Sequence, residues 1–368
     1  MHRRVLRRPR ALAHDRRHGG RRLVTLALPV AVSAVLALGL AACGSDEAGQ
    51  TTSSSTVVST SSTVTTTTTT TTTTLPVGVP GTAIRRARVA ALPPDAVTLP
   101  AVSEGSAAWL RMVPIAYRSF GSGPDLLLVA GQDGTLSWWG PTLLFDLSTY
   151  YHVTVFDLPG VGYSGAATTR LSLAWLADMT AGFALTIGLS EPIILGWGLG
   201  GEIALSLAER HPAFASSLIL VDTAAGGDGS IQPAASVVRT LGQPGVTPVA
   251  LSALLFPDTA AGLLERPLWQ SSLFTGDRDW LTVPAVKAQA ALQVEVWKTS
   301  SLAPGLPDVT IPALVVAGAD DVVFPPANAA ELGVELPDAT SVILPGSGYG
   351  AIIQDEPAFV ATVEKFTG

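Results

Sequence analysis

The segment Ile193-Ile194-Leu195-Gly196-Trp197-Gly198-Leu199-Gly200-Gly201 decides how this chain folds. Its apolar start predicts a buried strand, and the residues from Glu202 to Ala208 predict a helix. The glycines between them predict a tight strand–turn–helix unit, which in many enzymes lifts a nucleophilic side chain above a sheet. Here the central residue of the turn is Gly198, which has no side chain to lift.

The rest of the chain repeats the alternation of strand and helix. Polar and apolar residues alternate at 115–120, and apolar runs typical of buried strands lie at 126–130, 153–156, 193–195, 218–221, 313–317 and 342–344. Helical patterns lie between them at 138–147, 173–187, 202–210, 327–332 and 357–366. This order predicts one α/β domain over residues 91–368, with a doubly wound, mostly parallel sheet.

Residues 223–311 interrupt this alternation. They contain helical stretches around 234–241, 248–255 and 283–298, separated by proline and glycine. The preceding strand ends at Asp222, so the insertion is expected above the carboxyl ends of the strands, where such sheets place their sites. We interpret it as a helical lid, and a second independent domain is the alternative.

Residues 1–42 have the features of a secretory signal. An arginine-rich start precedes an apolar run from Leu23 to Leu40, which ends in Leu-Ala-Ala before Cys43. These last four residues resemble the bacterial lipobox, in which the cysteine is lipidated and becomes the mature N-terminus. Cys43 is the only cysteine of the chain. We therefore predict an exported lipoprotein held to the outer face of the cytoplasmic membrane, with a plain signal peptide or a spanning helix as alternatives.

Residues 43–90 are predicted to form a disordered tether. Serine and threonine make up nearly all of the stretch 50–75, including ten consecutive threonines from Thr65 to Thr74. Such a stretch has too little apolar surface to fold.

Charge and composition exclude several partners. The chain from residue 43 onward carries 13 basic and 28 acidic residues, which argues against nucleic acid as a partner. A single cysteine leaves no thiolate metal site. Neither a metal nor a cofactor is predicted.

From about 115 to 366 the chain resembles the α/β-hydrolase superfamily in both the type and the order of its motifs. Phe156 to Ser164 (FDLPGVGYS) is similar to the family's D-x-x-G-x-G-x-S loop, and Gly196 to Gly200 is similar to its nucleophile turn. The segment 318–325 is similar to the one that carries the catalytic acid. The segment 345–350 occupies the place of the one that carries the basic histidine.

The resemblance implies that two of the three catalytic roles are lost. Asp321 matches the acid, Gly198 replaces the nucleophile and Tyr349 replaces the base. Glycine has no attacking atom, and a phenol of pKa about 10 is a poor proton acceptor at neutral pH. Only His152 and His211 lie beyond the signal, and neither matches a catalytic position.

Parts of a binding site are nevertheless expected to survive. The backbone N–H groups of Gln132 and Leu199, beside Gly131, are expected to form an oxyanion-type nest. Asp321 is expected to accept a hydrogen bond from the Tyr349 hydroxyl.

Aromatic residues are concentrated around the predicted site. Trp197 lies in the turn itself, and Trp138, Trp139 and Tyr349 are assigned to its mouth. They either line a ligand cavity or pack as core, and the sequence leaves both open.

Two hypotheses of function follow. The first is a lipid-anchored, catalytically inactive hydrolase-fold protein that binds a small apolar ligand or an envelope protein. The alternative is an atypical hydrolase of esters or related small substrates, with Asp321, Tyr349, Asp133 or Glu202 in a rearranged constellation.

Overall fold

The computed structural model describes residues 95–99, 113–167, 169–244, 246–272 and 283–368. The predicted signal, with Cys43, and the predicted tether lie outside the described residues. Within the described ranges, no helix combines the length and the apolar character needed to cross a bilayer.

Eight strands form a single sheet in the order β1-β2-β4-β3-β5-β6-β7-β8. Their bounds are β1 Asp95–Leu99, β2 Val113–Gly121, β3 Asp125–Val129, β4 His152–Phe156, β5 Ile193–Trp197, β6 Ser217–Val221, β7 Ala313–Gly318 and β8 Ala339–Leu344. The β1–β2 and β2–β4 pairs are antiparallel, and every other pair is parallel. The predicted mostly parallel α/β sheet is confirmed.

Ten α-helices of the described residues surround this sheet. They are α1 Pro141–Leu147, α2 Leu173–Thr186, α3 Leu199–Arg210, α4 Ala235–Leu241, α5 Pro248–Leu255, α6 Ala260–Ser272, α7 Val283–Lys298, α8 Ala327–Glu335, α9 Ala351–Gln354 and α10 Glu356–Thr367. Helices α4 to α7 lie between β6 and β7, where the insertion was predicted.

Several helix bounds differ from the prediction for local reasons. Helix α1 begins at Pro141 because Gly140 has a φ of 70°, outside the helical region, and proline suits the first helical position. Helix α6 was not predicted, because Pro267 inside it breaks the sequence pattern of a helix. Helix α3 begins at Leu199, directly at the turn, three residues earlier than expected.

Alternate residues of each strand face opposite sides of the sheet, and helices cover both sides. On one side Leu127 and Val129 pack with residues of α2 and α3, such as Phe183 and Ile203. On the other side Leu126 and Leu128 pack with residues of α1 and α10. Because both faces are buried, the central strands are apolar throughout and only their ends can carry chemistry.

The carboxyl ends of the parallel strands bring distant segments together. The loop after β3 carries Gly131 to Asp133, and β5 ends at the Gly198 turn. Asp222 follows β6, Asp321 follows β7 and Tyr349 follows β8. These segments form the candidate site.

Candidate functional site

Gly198 lies at the turn between β5 and α3, with φ 57° and ψ −119°. This conformation is strained for any residue with a Cβ atom. The turn is held by hydrogen bonds from Gly198 N to Val221 O (2.9 Å) and from Thr223 Oγ1 to Gly198 O (2.7 Å). The strand–turn–helix geometry that presents a side chain above the sheet is therefore present, with glycine at its apex.

The Tyr349 hydroxyl fills the space directly above this glycine. A Cβ atom placed on Gly198 would overlap the phenol oxygen and lie 3.0 Å from its Cζ atom. A Cβ atom on Gly131 would lie 2.6 Å from the same oxygen. The phenol oxygen is thus wedged between the β3 loop and the turn, in contact with bare backbone on both sides.

Burial and surrounding acids keep this phenol protonated. The side chain is 4% exposed, and burial raises the pKa of Tyr349 well above its usual value. The negative charges of Asp321, Asp222, Glu202 and Asp133 raise that pKa further. A phenol with such a pKa cannot accept a proton at neutral pH.

Asp222 and Asp321 form a buried carboxyl pair. One oxygen of each is committed to the backbone: Gly318 N donates to Asp222 Oδ1 (2.8 Å), and Val323 N donates to Asp321 Oδ1 (2.7 Å). The other oxygens, Oδ2 of both residues, are buried with no donor of the chain. Burial raises both pKa values, that of Asp321 to about 7, and the charge of Asp321 raises that of Asp222. The two carboxyls therefore titrate as a pair with raised pKa values.

The expected hydrogen bond from Tyr349 to Asp321 is absent, so that prediction is wrong. Asp321 Oδ1 takes backbone donors from Val323 and Phe324, and its Oδ2 atom has no donor of the chain. The phenol is directed instead at Gly198 and Gly131.

Helix α7 contacts two further acidic residues, Glu202 through its carboxyl and Asp133 through its backbone N–H. Gln293 Nε2 donates to both oxygens of Glu202, at 3.1 and 2.9 Å, and Gln289 Oε1 accepts from Asp133 N at 2.7 Å. Burial raises the pKa of Glu202, and it raises the pKa of Asp133 to about 7. Because the glutamines are one helical turn apart and both buried, α7 is fixed to the site by a polar contact at each.

The Tyr349 hydroxyl lies beside Gly131, one of the residues assigned to the predicted oxyanion nest. Gly131 contacts the hydroxyl, and Gln132 donates through Nε2 to Leu241 O of helix α4 (3.0 Å). Among the described residues, the backbone N–H groups of Gln132 and Leu199 have no acceptor. Tyr349 therefore occupies space beside Gly131 and Gly198, between the two segments that carry these N–H groups.

The predicted aromatic residues are buried and pack against one another. Trp197 contacts Trp138, Trp139 and Tyr349, with ring centroids at 6.3, 5.7 and 5.2 Å. Trp197 Nε1 also donates to Tyr349 O at 2.8 Å, which fixes the loop after β8. The sequence left open whether these aromatic residues line a ligand cavity or pack as core. Their burial and mutual contacts correspond to core packing.

Both remaining histidines lie away from the turn. His152 begins β4, about 15 Å along the strand from the carboxyl edge, and His211 follows the far end of α3, about 18 Å from Gly198. Each pairs with a surface carboxylate, Asp125 at 2.7 Å and Asp178 at 2.8 Å. Neither can serve as a base at this site.

Three residues of the site were missed in the sequence. Asp222 directly follows an apolar strand, which places a carboxyl at the active edge of a parallel sheet. Gln289 and Gln293 are spaced by four in a mainly apolar helical segment, which indicates a polar contact on one face of the helix. Both patterns, the acid after an apolar strand and the two glutamines four residues apart, can be seen in the sequence.

Comparisons with known proteins agree with the architecture. The family model described as the alpha/beta hydrolase fold matches residues 126–356. A pimeloyl-(acyl-carrier protein) methyl ester esterase from Aeromonas hydrophila is 29% identical over 273 residues, which cover 69% of this chain and 99% of the relative.

Solved structures show the same similarity. An esterase from Rhodococcus is 25% identical, with a TM-score of 0.58, covering 69% of this chain and 94% of that protein. A thermophilic esterase from Thermogutta terrifontis is 20% identical, with a TM-score of 0.60, covering 74% of this chain and 97% of that protein. The latter similarity concerns the fold alone.

Proposed function

Because the chain belongs to the α/β-hydrolase family, we propose that it is a member that has lost the serine–histidine chemistry and serves as a binding module. Gly198 is assigned to the nucleophile position, Asp321 to the acid position and Tyr349 to the base position. The observation that carries this proposal is the Tyr349 hydroxyl, which fills the space that a nucleophilic side chain would need above Gly198.

The chemistry of the remaining groups supports the loss of activity. Serine hydrolysis needs an attacking oxygen, a base with a pKa near neutrality and a free oxyanion site. Gly198 supplies no oxygen, Tyr349 retains its proton, and its phenol lies against Gly131, beside the proposed oxyanion donors. We further propose that a lipidated Cys43 holds the domain at the outer face of the membrane, where its ligand is a small apolar molecule or an envelope protein.

Ester hydrolysis by a rearranged site is the second candidate, and the relatives favour it over inactivity. The two relatives from Aeromonas and Rhodococcus are esterases, and the match to this chain covers 99% and 94% of their own lengths. The Asp222–Asp321 pair could supply general acid and base catalysis, since burial raises the pKa values of both carboxyls, that of Asp321 to about 7. An open cleft of about 580 Å³ is lined by Asp320, Asp321 and Arg266, so it borders one member of this pair.

A fluorophosphonate probe, which labels activated serines, tests whether the serine chemistry is lost and whether the positional assignment is right. The wild-type protein is expected to remain unlabelled, and Gly198→Ser combined with Tyr349→His is expected to become labelled. Gly198→Ser alone is expected to stay unlabelled, because its side chain would overlap the phenol. Labelling of the wild type would overturn the proposal, and a folded but unlabelled double variant would show that the positional assignment is wrong.

An ester-hydrolysis assay tests the second candidate directly. Turnover of methyl and nitrophenyl esters that is lost in Asp321→Asn but kept in Asp320→Asn would replace inactivity by hydrolysis. The neighbouring Asp320 is a matched control because its side chain is exposed, whereas that of Asp321 is buried.

A further inference from the structure

Strand β8 leaves one side of the sheet open. Of the strands that the structure describes, β7 alone pairs with β8, and none lies on its outer side. Thr340, Ser341 and Ile343 are exposed, Ile343 at 42%. A strand in this position presents a row of backbone N–H and C=O groups, which is a template for pairing with another strand. We call the outer side of Ala339–Leu344 the β8 edge.

The hydrogen bonds to β7 show which backbone groups of β8 point outward. Ala313 N donates to Asp338 O at 2.8 Å, and Ala319 N donates to Leu344 O at 3.0 Å. In a parallel pair, alternate residues direct both backbone groups to the same neighbouring strand, so the even-numbered residues bond toward β7. The residues that direct their N–H and C=O groups outward are Ala339, Ser341 and Ile343.

The sequence around β8 fits an antiparallel pair with a second copy of the chain. Pro337 and Pro345 lie four residues to either side of Ser341. When two copies pair about Ser341, the Ala339 of each lies opposite the Ile343 of the other, and their outward N–H and C=O groups meet. The ladder ends at a proline on both sides, because proline has no N–H to donate. The edge is thus complementary to itself, as a two-fold interface requires.

The β8 edge has none of the features that keep an open strand unpaired. Such strands are protected by charged side chains, internal prolines or bulges. Between Ala339 and Leu344 there is no charged residue and no proline, and the register with β7 runs without a bulge. The chain has a formal net charge of −7, so two copies repel one another over most of their surface and approach best where charge is absent.

Helix α8 adds an apolar face beside the edge. It lies against the middle of β8, since a Cβ atom on Gly333 would overlap Ser341 Oγ. Val334 is 85% exposed, whereas the acidic residues Glu331 and Glu335 are half-buried. The exposed residues of the helix are all apolar: Ala327, Ala330 and Val334. A two-fold axis through paired antiparallel strands is perpendicular to the sheet, so the α8 helices of two copies would lie side by side on one face.

We propose that two copies of this chain pair through the β8 edge and form one continuous sheet. The backbone selects the occupant, because an extended strand, unlike a lipid or a small molecule, satisfies a row of N–H and C=O groups. A second copy supplies such a strand with prolines at matching positions and with no opposed charge. This inference goes beyond the proposed function and depends neither on the loss of catalysis nor on Cys43. Because the paired strands are antiparallel, the two candidate sites would open on opposite sides of the dimer.

Disulfide cross-linking tests the register directly. All variants carry Cys43→Ser in the full chain, because Cys43 is the only cysteine. Ser341→Cys places two thiols across the axis, where opposed Cα atoms are about 5.5 Å apart and within reach of a disulfide. Ser190→Cys, at an exposed serine of the loop before β5, is the matched control. We expect mild oxidation to give a covalent dimer at position 341 and no dimer at position 190.

Sedimentation of the full chain measures the association without a cross-link. Ile343→Lys places a charge within the edge, and a lysine there opposes pairing with another strand. We expect the dissociation constant of the dimer to rise about tenfold or more. Val249→Lys on α5, where Val249 is 65% exposed, is the matched control and is expected to leave that constant unchanged.

The other outcomes overturn the proposal. A chain that sediments as a monomer at every concentration, or equal cross-linking at positions 190 and 341, would contradict pairing at β8. Association that Ile343→Lys leaves unchanged would assign the contact to another surface. Circular dichroism shows whether each variant is folded, and if Ile343→Lys unfolds, cross-linking at position 341 still decides the question.

Discussion

At the scale of single residues, the contact between Gly198 and Tyr349 decides what the turn can hold. Gly198→Ala adds a Cβ atom in a strained conformation and against the phenol oxygen, so we expect a loss of about 2 kcal/mol or more in the free energy of unfolding. The loss should be smaller in a Tyr349→Phe background, which lacks that oxygen. Urea denaturation of the four proteins measures this coupling, and strictly additive losses would contradict the contact.

At the scale of elements, helix α7 depends on the hydrogen bonds of its two glutamines. Gln293→Ala would leave the fully buried Glu202 without its donor, so we expect a loss of about 1 to 3 kcal/mol in unfolding free energy. Hydrogen exchange should also speed up in α7 before the central strands. Lys287→Ala, at an exposed position of the same helix, is the control. Similar exchange in both variants would show that α7 does not rely on Gln293.

The helices and strands also show how much of the fold could be predicted from the sequence. The runs that predicted β5, β6 and β7 were correct because central parallel strands are apolar on both faces. Helix α6 escaped prediction, since Pro267 breaks its pattern and its apolar residues face solvent. Motif order also identified the segments that carry Gly198, Asp321 and Tyr349. It could not give the direction of the phenol, which depends on contacts with Gly131 and Gly198 after folding.

At the scale of the whole molecule, the buried acids predict an unusual dependence of stability on pH. Burial raises the pKa values of Asp133 and Asp321 to about 7, and those of Glu202 and Asp222 are raised too. Between about pH 4 and 7 the folded state therefore binds more protons than the unfolded chain, so unfolding free energy falls as pH rises. We expect Tm to decrease from pH 5 to pH 8.

Two variants test whether the buried acids cause the decrease of Tm with pH. Asp133→Asn should make that decrease smaller, because one of the titrating carboxyls is removed. Asp178→Asn should leave it unchanged, since Arg210 lowers the pKa of Asp178 and that group titrates below this range. Thermal unfolding followed by circular dichroism gives the comparison, and a Tm that is constant or rises with pH in the wild type would contradict the prediction.

The position of the phenol also constrains how this protein can evolve. A side chain added at position 198 overlaps the phenol oxygen while Tyr349 keeps its present rotamer, and therefore lowers stability. A mutational path toward a nucleophile that first removes the phenol at position 349 avoids this destabilised intermediate, whereas the reverse order passes through it. Steric overlap thus favours one order of the two steps over the other.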